Sequence, residues 1–321
     1  MPFQEKQPHD QSSEKLFSKL IEQDLGSYLT NDIREKLALL DIRESTAGKE
    51  RSHATDIAEI IDITERIRSN ASALNIEHPD TNEDWRSLKA AFIFEDIGKA
   101  TSQEIAALYA LNDVPIAATI GANMRTHLGD EFYHAHQESI RNYVLDAKVA
   151  ISQIHNPKEN ETALRQEWEQ KLNDLENPSA QMRYFWDVHP YYSAQILEKN
   201  KEQLLARGNS QKSLENIRKI AGAHHFVEGN SVVPEYELST LTIWGELLDK
   251  IHAGMTRFNN LSVPIEERWH NTWKFIHEQR INRLPTSDIR NRYEQVASAL
   301  EYDLKDTLLQ KFLEIEQGKA L

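Results

Sequence analysis

The chain has 321 residues, of which 39% are hydrophobic and 27% are charged, so it is long enough to bury a large core in one or two domains. It carries 37 Lys and Arg against 51 Asp and Glu, a formal net charge of -14. This charge argues against nonspecific binding to a nucleic acid duplex or an anionic membrane, but it allows a phosphate-bearing small molecule beside a metal ion. The absence of cysteine excludes disulfides, thiolate metal ligands and a cysteine nucleophile.

The first residues are polar and lack the apolar run of a signal peptide. No apolar stretch approaches the roughly 18 residues that are needed to span a bilayer. We therefore expect a cytoplasmic protein with no membrane partner.

Helical periodicity dominates the segments between glycine and proline, and no segment shows the alternation of a strand, so the predicted fold class is all-α. The predicted helices cover 12–25, 30–41, 52–74, 85–97, 190–207, 210–223, 238–258, 264–280 and 286–317. Residues 102–185 are predicted to be further helices, which begin at a capping box formed by Thr101 and Glu104.

An ordered series of histidines and acids along these helices predicts the function. Its members are His53, Glu95, Asp96, His189, His224, His225 and Asp249. Imidazole and carboxylate together suit a pair of divalent transition-metal ions, and such a pair can activate water to hydrolyse phosphate esters. Glu95 and Asp96 end a core helix, and adjacent buried acids repel each other unless a cation lies between them.

The same series resembles the HD superfamily of metal-dependent phosphohydrolases, and its HD-GYP branch most of all. Phe94–Lys99 is similar to the His-Asp-Ile-Gly-Lys segment of the family except at its first position. The other matching segments are those around His53, His189-Pro190 with Ile196-Leu197, His224-His225 and Leu248-Asp249. The resemblance covers roughly residues 46–100 and 183–260.

The resemblance implies a phosphomonoesterase or phosphodiesterase, with a nucleotide as one candidate substrate, that uses two divalent metal ions. One implied ion is held by His53, Glu95, Asp96 and Asp249. The other is held by His189, His224, His225 and Asp96, which bridges the two ions. A bridging water or hydroxide would attack phosphorus, and Lys99 would neutralise charge on the phosphoryl oxygens.

The chain departs from the family pattern at four residues. Glu95 replaces the first histidine, and an oxygen ligand there favours Mn or Fe, with Zn, Ni or Mg as the other candidates. Val232-Val233-Pro234 replaces Gly-Tyr-Pro, and Phe226 replaces an acid, which argues against the cyclic di-GMP hydrolysis of the HD-GYP branch. Two alternatives stay open: a di-iron oxygenase on the HD fold, and a catalytically decayed HD domain that acts as a signalling or interaction module.

The predicted architecture is an HD-domain-like helical bundle with flanking helices. An N-terminal tail and helices occupy 1–45, the HD-type metal domain occupies 46–262, and C-terminal helices occupy 263–321. A helical insertion interrupts the metal domain at about 101–182, and it suits a lid or the binding of a protein partner. A homodimer is also compatible with the sequence.

Two weaker patterns have a structural explanation as well as a functional one. One helix face would carry His127, Asp130, Glu131 and His134, as an exposed polar surface or a second metal site. An aromatic cluster around His189 is typical of core packing or of a wall that stacks a nucleobase. Its members are Trp168, Tyr184, Phe185, Trp186, Tyr191 and Tyr192.

Overall fold

The structure is a computed structural model that describes residues 21–46, 53–71, 73–74, 76–100, 189–228, 231–256, 262–284 and 286–317, with scattered positions between 134 and 166. This part of the chain is 83% helical and contains no strand, which confirms the predicted all-α class. None of its helices is both long enough and apolar enough to cross a membrane.

The α-helices whose two ends lie among the described residues follow one another along the chain. They are α1 (Asn31–Thr46), α2 (His53–Ala71), α3 (Asn82–Phe94), α4 (His189–Ala206), α5 (Gln211–Ala223), α6 (Thr240–Thr256), α7 (Ile265–Gln279), α8 (Ser287–Ser298) and α9 (Lys305–Glu316). Two short 3₁₀ turns matter for the candidate site. The turn Ile97–Ala100 follows α3, and the turn Phe226–Glu228 follows α5.

Helix α3 lies at the centre of the bundle, where it packs against α2, α4, α5 and α6. It begins at a capping box in which the Thr81 hydroxyl accepts a hydrogen bond from the Asp84 amide, and the Asp84 carboxylate accepts one from the Thr81 amide. Nearly every residue from Trp85 to Phe94 is buried. Because α3 is enclosed along its length, the chain that leaves it delivers Glu95 and Asp96 into the interior of the bundle.

Helix α6 is the second long apolar element, and it packs against α2, α3, α5, α7 and α8. One continuous hydrophobic core includes residues from Ile21 to Phe312 and so joins the N-terminal turns, the central helices and the C-terminal helices. The predicted domain boundaries at 45 and 262 stay predictions.

Two predicted helices differ from the structure. Residues 21–28 form a π-helical turn and a 3₁₀ turn instead of the end of an α-helix. The predicted helix 286–317 is divided into α8 and α9 by a π-helical turn at Ala299–Asp303. The Leu304 amide donates to the Ala299 carbonyl at 2.9 Å, and this wide turn keeps both Leu300 and Leu304 buried.

Several sequence predictions lie outside the described residues. These are most of the 101–182 insertion, the Thr101–Glu104 capping box, and His127, Asp130, Glu131, Trp168, Tyr184, Phe185 and Trp186. His134 is described as a helical, exposed residue. Tyr191 and Tyr192 lie on α4 with their ring centroids 5.5 Å apart in an edge-on arrangement.

Candidate metal centre

A close contact between the turn after α3 and the first residues of α4 positions the acids of the candidate site. The Gly98 amide donates to Ser193 Oγ at 3.0 Å, and the Ser193 hydroxyl donates to the Glu95 carbonyl at 2.8 Å. A Cβ atom at Gly98 would lie 2.2 Å from the His189 carbonyl oxygen, so only glycine permits this approach. The contact brings Asp96 beside His189, the first residue of α4.

The histidine doublet directly follows α5, whose last residue is the buried Ala223. His224 Nδ1 lies 2.7 Å from the Ala221 carbonyl oxygen. Because a carbonyl oxygen can only accept, His224 Nδ1 carries the proton, and the Nε2 lone pair of the neutral ring faces the site. Metal-binding histidines are commonly oriented by a backbone hydrogen bond of this kind.

The Asp96 carboxylate is the hub of the candidate site. Its Oδ1 lies 2.8 Å from Lys99 Nζ, 3.2 Å from His189 Nε2 and 3.8 Å from His224 Nε2. Its Oδ2 lies 4.0 Å from His53 Nδ1, on the first residue of α2. The Asp96 side chain is 26% exposed, so solvent can reach this carboxylate although the histidines around it are buried.

His189, His224 and His225 form a compact trio in which one ligand atom from each ring lies within 4.8 Å of the others. His189 Nε2 and His224 Nε2 are 2.8 Å apart. This is a hydrogen-bond distance, and the trio is compact enough that its three rings could instead hold one metal ion.

The electrostatics of the buried rings also suit a metal ion. Burial and the Lys99 ammonium lower the pKa of His189 to about 3. Burial and the two neighbouring histidines lower the pKa of His224 well below its usual range. Both rings are therefore neutral at pH 7, which is the form that binds metal ions.

Glu95 and Asp249 supply the acidic side of the site. Burial raises the pKa of Glu95 well above its usual range, and the carboxylates of Asp249 and Asp96 raise it further. Glu95 Oε1 is buried and has no hydrogen-bond partner among the described residues. A cation beside Glu95 would satisfy this oxygen and relieve the repulsion between the carboxylates.

The pKa of Asp96 is shifted in the opposite direction to that of Glu95. Burial alone would raise the pKa of Asp96, but the charge of Lys99 and the hydrogen bond from His189 hold it well below its usual range. Likewise, Lys250 outweighs burial and lowers the pKa of Asp249. Asp96 and Asp249 are therefore ionised at neutral pH and ready to bind a cation.

Sequence reasoning missed two residues that support the site. Lys250 Nζ lies 2.9 Å from Asp249 Oδ2 and 3.4 Å from His225 Nδ1, so it adds positive charge beside two predicted ligands. The buried Glu246 accepts a hydrogen bond from the Val227 amide at 3.0 Å, two residues after His225. The sequence signal for Glu246 was the same as for Asp249: an acidic residue within a largely apolar helix, which needs a polar partner when it is buried.

The structure brings all seven predicted metal ligands to one region. Asp96 lies beside His189 and His224, His225 completes the trio, and His53 Nδ1 is 4.0 Å from Asp96 Oδ2. Lys250 lies between Asp249 and His225, and the carboxylates of Asp249 and Asp96 raise the pKa of Glu95. The described residues thus contain clusters of His, Asp and Glu that could hold a metal ion. No protein-family model, curated protein or solved structure matches the chain. Membership of the HD superfamily therefore stays a prediction from the sequence motifs.

Proposed function

We propose that this protein is an HD-type metal-dependent phosphohydrolase with a binuclear centre. The observation that carries the proposal is the position of Asp96, whose Oδ1 faces His189 and His224 while its Oδ2 faces His53. A carboxylate with imidazoles on both of its oxygens has the placement that a bridging ligand needs. The motif order of the HD family independently assigns Asp96 the same role.

The ligands divide into two groups around Asp96. The first group consists of His53, Glu95 and Asp249, and the second consists of the trio His189, His224 and His225. When bound, the metal ions would supply an activated water and positive charge for attack on phosphorus. The oxygen donors of the first group favour Mn or Fe, whereas Zn, Ni and Mg are the other candidates.

Two lysines set the charge of the centre. Lys99 is only 3% exposed and its Nζ contacts Asp96 directly, so its first role is to keep Asp96 ionised. Lys250 is more accessible and balances Asp249. These two cations offset the acidic ligands, so a phosphomonoester or phosphodiester can approach although the whole chain carries a net charge of -14. A nucleotide belongs to this substrate class.

The first test is metal analysis of the protein purified without chelator or affinity-tag histidines. We expect at least two equivalents of a transition metal in the wild type and a loss of at least one in His224→Ala/His225→Ala, because the double change removes two imidazoles of one group. The matched control is His270→Ala/His277→Ala on α7, which should keep the metal. A chain that holds no metal after reconstitution with Mn, Fe or Zn would contradict the proposal and favour the decayed HD domain.

The second test is hydrolysis of p-nitrophenyl phosphate and of bis(p-nitrophenyl) phosphate by the metal-loaded protein. We expect Asp96→Ala to abolish turnover of whichever ester the wild type cleaves, because Asp96 adjoins both ligand groups. Turnover that survives Asp96→Ala would show that the assigned site is wrong. Retention of iron with an oxygen-dependent reaction, and no ester hydrolysis, would support the di-iron oxygenase instead.

A further inference from the structure

A second group of metal-binding side chains lies between α2 and α6, apart from the seven predicted ligands. Asp56 and Glu59 come from α2, and His252 comes from α6. One ligand atom from each lies within 4.8 Å of the others, and His252 Nε2 is 2.9 Å from Glu59 Oε2. Glu59 and His252 are buried, whereas Asp56 is half-buried.

The group lies next to the proposed binuclear centre but shares no ligand with it. Asp56 follows His53 by three residues on α2, and His252 follows Asp249 by three residues on α6. Three residues of α-helix advance about 4.5 Å, so each pair occupies neighbouring turns of the same helix face. The two helices therefore present a second set of ligands roughly one turn beyond the first.

The donor set suits a divalent ion. Besides the hydrogen bond between His252 and Glu59, Asp56 places a second carboxylate oxygen within 4.8 Å of both. One imidazole nitrogen with two carboxylate oxygens is a ligand set for Mn²⁺, Fe²⁺ or Zn²⁺.

We infer that Asp56, Glu59 and His252 form a further metal site for a divalent first-row transition ion, separate from the binuclear centre. Glu59 and His252 are 193 residues apart in sequence, and their contact joins α2 to α6. The half-buried side chain of Asp56 leaves a solvent-facing side, where water can complete the coordination. An ion held there would tie α2 to α6 beside His53 and Asp249.

The test separates the two sites by removing ligands from both ions of the binuclear centre. In the full chain with His53→Ala, Asp96→Ala and His224→Ala, we expect about one equivalent of Mn²⁺ to remain bound, measured by equilibrium dialysis and by the EPR signal of Mn²⁺. Adding Glu59→Gln should remove that equivalent. The matched control is Glu65→Gln, a carboxylate change on α2 outside the group, and it should leave the equivalent in place. Circular dichroism and melting temperature verify that each variant is folded.

A triple variant that unfolds would be replaced by the wild type, in which Asp56→Asn should lower the bound Mn²⁺ by about one equivalent. Anomalous scattering at His252 Nε2 in Mn²⁺-soaked crystals gives an independent location. Equal Mn²⁺ binding with and without Glu59→Gln or Asp56→Asn would overturn the inference and leave a His–Glu hydrogen bond only. The comparison of wild type with Glu59→Gln or Asp56→Asn does not depend on the phosphohydrolase proposal, because these two changes leave all seven proposed ligands of the binuclear centre in place.

Discussion

Glu95 and Asp96 are adjacent in sequence, yet their surroundings push the pKa values of their side chains in opposite directions. Burial and two neighbouring carboxylates favour the protonated form of Glu95, whereas Lys99 and His189 favour the ionised form of Asp96. The sequence predicts that two adjacent buried acids need a cation, but it cannot predict which acid receives Lys99. That assignment depends on the turn Ile97–Ala100, which directs the Lys99 ammonium back onto Asp96.

This difference gives a prediction for Glu95→Gln in the metal-free protein. The folded-state pKa of Glu95 lies above its unfolded value, so the group lowers stability as the pH rises above about 4.3, the ordinary pKa of glutamate. A tenfold change in an equilibrium constant corresponds to about 1.4 kcal/mol, so the penalty is large enough to measure. Glu95→Gln removes this penalty, and we expect the metal-free variant to exceed the wild type in free energy of unfolding at pH 7 but not near pH 4.

Urea denaturation of the metal-free proteins across this pH range provides the measurement, with the exposed Glu198→Gln as the control. Added metal should reverse the order at pH 7, because the amide of glutamine is a weaker ligand than a carboxylate. A difference between wild type and Glu95→Gln that stays constant with pH would contradict the assigned protonation of Glu95.

At the scale of elements, sequence periodicity predicted the main helices because their apolar faces repeat at the helical period. The bend at Leu304 was missed because neither glycine nor proline marks a π-helical turn. The order of the motifs predicted a metal site around Asp96, and the structure places His53, His189 and His224 near this carboxylate. Their role as ligands stays a prediction. Pairs such as Glu59 with His252 could not be predicted, because their contact depends on how α2 packs against α6 and not on either local pattern.

Gly98 lies where the turn Ile97–Ala100 packs against α4, and this contact positions the acids of the candidate site. A Cβ atom there would meet the His189 carbonyl oxygen at 2.2 Å and the Ser193 amide nitrogen at 2.6 Å. Gly98→Ala must therefore move the turn Ile97–Ala100 away from α4, and overpacking of this kind costs about 1–3 kcal/mol. Since the same contact places Asp96 beside His189, we expect lower thermal stability together with weaker metal binding.

Gly26→Ala is the matched control, because its Cβ atom would approach no described atom closer than 3.5 Å. Melting temperature and metal affinity by competition with a chelator would be measured for both variants. If Gly98→Ala lowered stability but kept the metal affinity of the wild type, the turn would matter for folding and not for the centre.

On the scale of the whole molecule, the C-terminal helices reach the candidate site through a buried chain of hydrogen bonds. The Tyr293 hydroxyl on α8 donates to Glu246 Oε2 on α6, and Glu246 Oε1 accepts from the Val227 amide just after His225. Burial and the Glu246 carboxylate raise the pKa of Tyr293 well above its usual range, so the hydroxyl keeps the proton that it donates. The helices after residue 262 thus help to support the loop that carries the histidine doublet.

Tyr293→Phe tests this long-range support. The change keeps the ring but removes the hydroxyl that donates to the buried Glu246 Oε2, and loss of a buried hydrogen-bond partner costs about 1–3 kcal/mol. Because Glu246 also fixes the Val227 amide, we expect faster loss of metal to a chelator as well as a lower melting temperature. Tyr236→Phe, at a tyrosine that is 86% exposed, should change neither quantity. A Tyr293→Phe protein that melted earlier but released metal at the wild-type rate would confine the role of α8 to stability.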